Sequence, residues 1–424
     1  MDRAVSSIGR IGRSLPSFGD VDDARLRGAL LCGALALFAL LYAPQPLLPR
    51  LAEEHGLAPG TAALVISAAT FGLAVAAIPL GTVAQAVGRR RIMIGAVLLA
   101  EALALVLPWL PSFPLLVGVR LVQGVAVAGV AALATAHLAE ESGGRGIGTA
   151  MGLYVAGSAL GGMTGRIVGG VVGDLAGWRG GLLAVAGLSA AFTALFVALL
   201  PPERHHRRQP LRWRPLLGGL GAALRDPELR GPYAIALLGT GAFATVFTAL
   251  PFRLTAPPFL VPPALAALAF LAYTAGTATS ALAGRVADRW GRLPVLLGGL
   301  VLCGAGLGLM LGDVLALVLG GLVVFTGGFF AAHAVAGAWV GARAPEAARG
   351  QAGAVYQFTY YVGTSLGGVL GGAAYGTWGW TATTALLTGF LLLAALAALR
   401  SSPGRRAGAR SVPAGGAAAG RTAG

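Results

Sequence analysis

Runs of apolar residues, each close to the roughly 20 that a helix needs to cross the hydrocarbon of a bilayer, follow one another along the whole of this 424-residue chain. Twelve can be placed, at about 27–49, 60–83, 92–111, 113–138, 147–172, 180–200, 231–252, 263–286, 293–312, 314–341, 351–375 and 379–399. Short turns bearing Arg, Pro or Gly separate them. Backbone in lipid must satisfy its own hydrogen bonds, so runs of this length and number predict an all-α membrane protein. Composition agrees: 56% of residues are hydrophobic and only 11% are charged, too few to wet a soluble surface of this size. The first run follows Arg3, Arg10, Arg13 and Arg25 and ends in Tyr42-Ala43-Pro44-Gln45 without a small-residue cleavage site. It reads as a retained first span, not a signal peptide.

The net charge of +15 comes from basic residues that are all Arg, 31 of them. An even number of spans puts both termini on one side, and the arginines choose the side. With the N terminus in the cytoplasm, 26 lie in segments facing inward, three in outer loops (Arg50, Arg179, Arg253) and two inside spans (Arg120, Arg166). The charge is therefore topological: the expected partner is a bacterial inner membrane, with both termini cytoplasmic, and no nucleic acid. The composition, rich in Ala, Gly, Arg and Pro, suits a GC-rich bacterial genome. Cys32 and Cys303 fall in apolar runs, so neither a disulfide framework nor a metal site is expected, and no cofactor. Without Lys there is no phosphate-binding loop of the Gly-x-x-x-x-Gly-Lys type. Gly363-Thr364-Ser365-Leu366-Gly367 fits a nucleophile-elbow pattern but lies inside an apolar helix, where it reads as packing. The chain is not expected to be an enzyme.

The long polar interruption from Pro201 to Arg230 divides the spans six and six. The division expected is an N tail (1–26), an N-terminal six-helix half (27–200), a basic linker (201–230) carrying a short amphipathic stretch from Leu216 to Leu224, a C-terminal half (231–399) and a disordered C tail (400–424). The halves repeat each other. Gly81-x-x-x-Gln85-x-x-Gly88-Arg89 recurs as Gly284-x-x-x-Asp288-x-x-Gly291-Arg292, and Gly177-Trp178 as Gly379-Trp380. Tyr154-Val155 with Gly161-Gly162 parallels Tyr361-Val362 with Gly367-Gly368. Paired six-span halves of this kind place a binding site near the bilayer midplane.

The segment Gly284 to Arg292, with Asp288, Arg289 and Gly291, resembles the signature loop of the major facilitator superfamily, and implies a latch in which Asp288 pairs with neighbouring arginines or caps a helix. In the first copy Gln85 stands where that superfamily usually has Asp, which implies a weaker N-half latch at Gly88-Arg89. Arg120-Leu121-Val122-Gln123-Gly124 resembles a fourth-span motif of its proton-coupled exporters, and Gly157 to Gly170, with Arg166 inside it, lies where its antiporters carry a glycine-rich motif. Four stretches narrow the resemblance to the acriflavine-sensitivity (YnfM-like) family: Tyr42 to Pro49, Met151 to Arg166, Gly328 to His333, and Arg349 to Tyr361. That implies a major facilitator fold of twelve helices in two pseudo-symmetric halves, and proton-coupled efflux of small organic solutes or drugs by a monomer.

Glu101 is the one carboxylate expected inside a span, and His333 a second intramembrane titratable group; each is a proton-site candidate and each has a packing explanation. Tyr42, Gln45, Gln123, Gln357 and Tyr361 complete the candidate substrate or proton pathway with Arg120 and Arg166. Uptake by symport, facilitated diffusion of a metabolite, and a non-transporting membrane sensor stay open on sequence alone.

Overall fold

The computed structural model of the chain describes residues 18–141, 147–203, 213–345 and 348–401. The expectations for the C tail, for most of the N tail and for the Arg-rich part of the linker fall largely outside these residues. Among the described residues every regular element is helical, and ten helices are long and apolar enough to cross a membrane. Two of them, Ile147–Leu199 and Arg349–Ser401, are each 53 residues long and each is broken once, at Ala176-Gly177 and at Gly379. The ten helices therefore make twelve crossings: α1 (Phe18–Tyr42), α2 (Pro59–Val87), α3 (Arg89–Trp109), α4 (Phe113–Ala131), α5 (147–176), α6 (177–199), α7 (Arg230–Thr255), α8 (Pro263–Trp290), α9 (Arg292–Leu309), α10 (Leu315–Arg343), α11 (349–378) and α12 (380–401). The linker stretch forms a helix, Trp213–Arg225.

The repeated Gly-Trp pairs are the hairpin turns between α5 and α6 and between α11 and α12. Gly177 and Gly379 have φ of 73° and 74°, a backbone that glycine alone adopts without strain. The Trp after each glycine is buried and ties the turn down: Trp178 donates to Glu54 Oε2 at 2.5 Å, and Trp380 to the Met310 carbonyl at 2.8 Å.

Each half has its own buried core, one running from Leu26 to Leu200 and joined by Tyr361 of α11, the other from Ala223 to Ala398. Within each, two helices approach backbone to backbone. A Cβ at Gly161 or Gly165 on α5 would lie 2.5 or 2.4 Å from the carbonyl oxygen of Leu35 or Ala39 on α1. At Gly363 or Gly367 on α11 it would lie 2.3 or 2.2 Å from that of Leu237 or Gly241 on α7. These contacts correct the register read from sequence. Gly161 answers to Gly363 and Gly165 to Gly367, the same 202-residue offset as the two Gly-Trp turns. Pairing Gly161-Gly162 with Gly367-Gly368 is one helical turn out, because glycines recurring every four residues map onto themselves after a four-residue slip. The fourth span is also shorter than expected: it ends at Ala131, where the Leu133 amide turns back to the Val130 carbonyl at 3.1 Å, and a separate helix, Ala134–Glu141, follows.

The halves meet toward the end of the bundle opposite residues 18 and 401. There α2 packs on α11, with Gly60 against Ala373, and α5 on α8, with Gly170 against Ala267. Gln45 Nε2 donates to Thr248 Oγ1 at 3.4 Å, joining positions 203 residues apart and so straddling the pseudo-two-fold. Ser365 Oγ donates to the Ser67 carbonyl at 2.8 Å, and the Ala264 amide to Asp174 Oδ2 at 3.4 Å.

Candidate functional site

The polar side chains that sequence places inside spans fall into three groups. The first surrounds Arg120, which is fully buried. Its Nε donates to the Val65 carbonyl on α2 at 2.8 Å and its Nη1 to the Leu40 carbonyl at 3.1 Å; Nη1 also reaches Gln123 Oε1 and Nη2 the Leu41 carbonyl. Leu40 and Leu41 lie in the last turn of α1, whose carbonyls have no further turn to accept from and carry the negative end of the helix dipole. Gln123 passes the connection on to the Ala100 carbonyl of α3 at 2.9 Å. Arg120 thus fastens α1, α2 and α4 within the N half. All its acceptors lie in that half, and in this conformation it is shut off from solvent and from the other half.

Glu101 forms the second group. Its Oε2 accepts from Ser189 Oγ at 2.7 Å and Thr193 Oγ1 at 3.3 Å on α6, and Ser189 also faces the Ala36 carbonyl at 3.4 Å. Oε1 is buried and has no hydrogen-bond partner among the described residues. Along its own helix Glu101 has only apolar neighbours, and its polar partners arrive from about ninety residues away. Ser189 and Thr193, four apart on one face of a span, are the sequence signal that could have indicated them.

Arg166 anchors the third group. It is 2% exposed, and its guanidinium donates to Gln45 Oε1 at 2.6 Å, its own-helix Gly162 carbonyl at 2.9 Å and Tyr273 Oη at 3.1 Å. The rings of Tyr42, Tyr273 and Phe270 flank it at 4.0, 4.7 and 5.2 Å. Arg120 and Arg166 both meet α1 within residues 40–42. Tyr273 opens an aromatic tract through the C half: it lies 5.9 Å from Phe330, which is 5.5 Å from Phe329, which stacks on His333 at 5.6 Å. His333 Nδ1 shares a 2.8 Å hydrogen bond with Tyr356 Oη, and Tyr360 packs on the imidazole at 4.9 Å and on Tyr361 at 5.0 Å. Tyr361 is buried, whereas Gln357 is exposed and apart from this tract.

The two signature turns differ. Gly88 and Gly291 have φ of 109° and 88°, which explains the glycine before each Arg. In the N half the turn is held: the Arg89 amide donates to Glu203 Oε1 at 3.0 Å, and Arg90 Nε to the Pro201 carbonyl at 3.0 Å. In the C half Gly284, Asp288, Arg289, Gly291 and Arg292 are all exposed. Asp288 makes no hydrogen bond or ion pair among the described residues, and no side chain caps α9. The pairing expected of Asp288 is therefore absent in this conformation, in which the halves are joined at the other end. Gln85 and Gly81, both half-buried, also take no part in a side-chain bond there.

Arg50, an outer-loop arginine by sequence, has a further role. In the fold it donates to the Gly173 carbonyl at 2.6 Å and pairs with Asp174, beside a depression of about 660 Å³ that also touches Glu53, Glu54, Thr255 and Pro263. Asp174 is distant in sequence and belongs to another span, so no local pattern marks this pair.

The profile of the Major Facilitator Superfamily matches residues 30–273 and 257–421. The chain is 37% identical over 390 residues to the inner membrane transport protein YnfM of Escherichia coli (strain K12), covering 92% of each. It is 34% identical over 368 residues to an uncharacterized MFS-type transporter, YybF, of Bacillus subtilis (strain 168), covering 87% of this chain and 91% of that one. Among solved structures it is similar to a bacterial homologue of the human lysosomal transporter Spinster in an inward-facing, occupied conformation. The TM-score is 0.72 at 15% identity, covering 89% of this chain and 96% of that chain.

Proposed function

The chain belongs to the Major Facilitator Superfamily, a multi-pass membrane transporter and not an enzyme, and on that premise we propose that it is a proton-coupled exporter of small organic solutes. On this reading it works as a monomer by alternating access in a bacterial inner membrane, with both termini and the linker in the cytoplasm. The supporting observation is the contrast between contacts within and between the halves. Within them, α1–α5 and α7–α11 touch backbone to backbone, and Arg120 fastens three helices. Between them lie neutral hydrogen bonds such as Gln45–Thr248 and Ser365–Ser67, the close approach of Gly60 to Ala373, and one bond from a buried cation, Arg166–Tyr273, whose loss leaves Arg166 in its own half. Two stiff bodies joined by a separable seam are what rocking about a midplane site requires.

Glu101 is the proton site in this reading: a buried carboxyl with one unpartnered oxygen and two hydroxyls at the other. His333, enclosed by rings and bonded to Tyr356, is the second candidate. Compounds whose toxicity rises when the chain is deleted supply substrates for the test, which follows each in everted membrane vesicles. Export coupled to protons predicts accumulation that depends on an acid interior and stops when the pH gradient is collapsed. Glu101→Gln should abolish accumulation and keep downhill exchange. Accumulation in right-side-out vesicles instead would establish uptake, and no flux of any hit would remove the transport reading.

A further inference from the structure

Arg166 is a buried cation that no carboxylate neutralises among the described residues. A guanidinium has five N–H donors, and the acceptors facing this one are three neutral atoms: Gln45 Oε1, the Gly162 carbonyl and Tyr273 Oη. Two donors are left over. Its surroundings are also divided between the halves. Gln45, Gly162 and Tyr42 belong to the N half, whereas Tyr273 and Phe270 belong to the C half. When the halves part at this end, Arg166 loses an acceptor and two of its three rings while it stays at membrane depth. A charge so placed needs a counter-ion. Arg120 makes a useful contrast, because all its acceptors sit in its own half and none is lost by that motion.

An aromatic wall extends beyond Arg166 into the C half. Phe243 stacks on Phe329 at 4.2 Å and meets Tyr273 edge-on at 5.4 Å, and Phe330 closes on both Tyr273 and Phe329. In this conformation the rings cover one another, Phe329 lying between Phe243 and His333; a flat ligand ring can take the place of such a contact when the halves part, and the two unused N–H donors of Arg166 suit a carboxylate.

We propose that Arg166 and the aromatic wall of the C half form a binding site for a planar aromatic organic anion, the carboxylate on the guanidinium and the ring among Phe243, Tyr273, Phe329 and Phe330. The site rests on the transport reading, since it is alternating access that uncovers Arg166.

The test is equilibrium binding to the purified full-length protein in lipid nanodiscs, with four probes matched in size: benzoate, benzamide, benzylammonium and cyclohexanecarboxylate. Benzoate should bind at least about tenfold more tightly than benzamide or benzylammonium, with cyclohexanecarboxylate weaker than benzoate. Arg166→Gln should remove the preference for anions. Phe329→Leu should remove the preference for the aromatic ring and keep that for charge. Benzamide binding as well as benzoate, an anion preference that survives Arg166→Gln, or no saturable binding of any probe would each overturn the proposal. The wild-type comparison decides even if Arg166→Gln does not fold. Binding needs neither gradient nor turnover, so anion-selective binding without flux would sink only the transport reading, and flux without anion selectivity only this site.

Discussion

The two halves share one backbone plan and differ in what they bury. The N half encloses Arg120, Gln123, Glu101 and Arg166, and its helices are fastened by hydrogen bonds with fixed geometry. The C half encloses Phe243, Phe247, Phe270, Phe325 and Phe329, with neighbouring ring centroids 4.2 to 6.1 Å apart, and its buried guanidinium, Arg253, sits at the end of α7 on the Met310 and Gly312 carbonyls. Directional bonds hold one arrangement, whereas ring faces tolerate sliding and replacement. On the proposed function, this difference divides the work: Glu101 and Arg166 on the stiff side, and the body of a solute, with His333 beside it, on the adaptable side. The signature turns carry the same asymmetry, held by Glu203 and Pro201 in the N half and exposed in the C half.

The largest effect is expected where the polar core is removed. Arg120→Leu takes the donor from the Leu40, Leu41 and Val65 carbonyls together and should cost about 3–5 kcal/mol, read as loss of folded protein or a steep fall in Tm. Arg120→Lys should recover only part, because one ammonium cannot reach acceptors spread over two helices and Gln123. Phe325→Leu, which trims the ring core without unpairing any polar group, should cost far less. Equal losses from Arg120→Leu and Phe325→Leu would erase the contrast between the halves.

Next come the close approaches, which sharpen the comparison because here the halves should behave alike. Gly165→Val and Gly367→Val each force a side chain into a facing backbone oxygen, and each should destabilise by about 1–3 kcal/mol, measured by thermal unfolding in detergent. A loss confined to one half would mean that the 202-residue register does not describe equivalent packing.

The fold was legible because lipid makes hydropathy decisive: span number, the six-and-six division and the Gly-Trp turns all follow from residues whose effects are local. The glycine register was not, since Gly161, Gly165 and Gly169 repeat at the helical period and sequence cannot tell one turn from the next. Arg120, Arg166 and Glu101 were found as costly residues in apolar runs, but their partners were not, because backbone carbonyls carry no sequence signal and Ser189 and Tyr273 arrive from other helices. Sequence therefore grouped Arg120 with Arg166. Contacts separate them into a fastener within one half and a cation shared across the seam.

The smallest effects are expected at the signature turns. Glu203→Ala should loosen the N-half turn by about 1 kcal/mol, seen as faster hydrogen exchange at 88–91. Asp288→Asn should leave Tm unchanged, having no partner in this conformation, and should slow turnover in a transport assay by removing a contact made in the opposite one. A Tm shift from Asp288→Asn larger than that from Glu203→Ala would reverse the asymmetry.

The central claim is that the halves move as two bodies about a seam, and paired distance measurements test it most directly. Spin labels at Glu53 and Leu260 would report the end where the halves now join, and labels at Val87 and Trp290 the end near the termini, all four sites being exposed and Cys32 and Cys303 replaced. Across a pH series, and with benzoate added, lengthening of the first distance should accompany shortening of the second, in matched populations. Two distances that never change, or that lengthen and shorten together, would contradict alternating access for this chain.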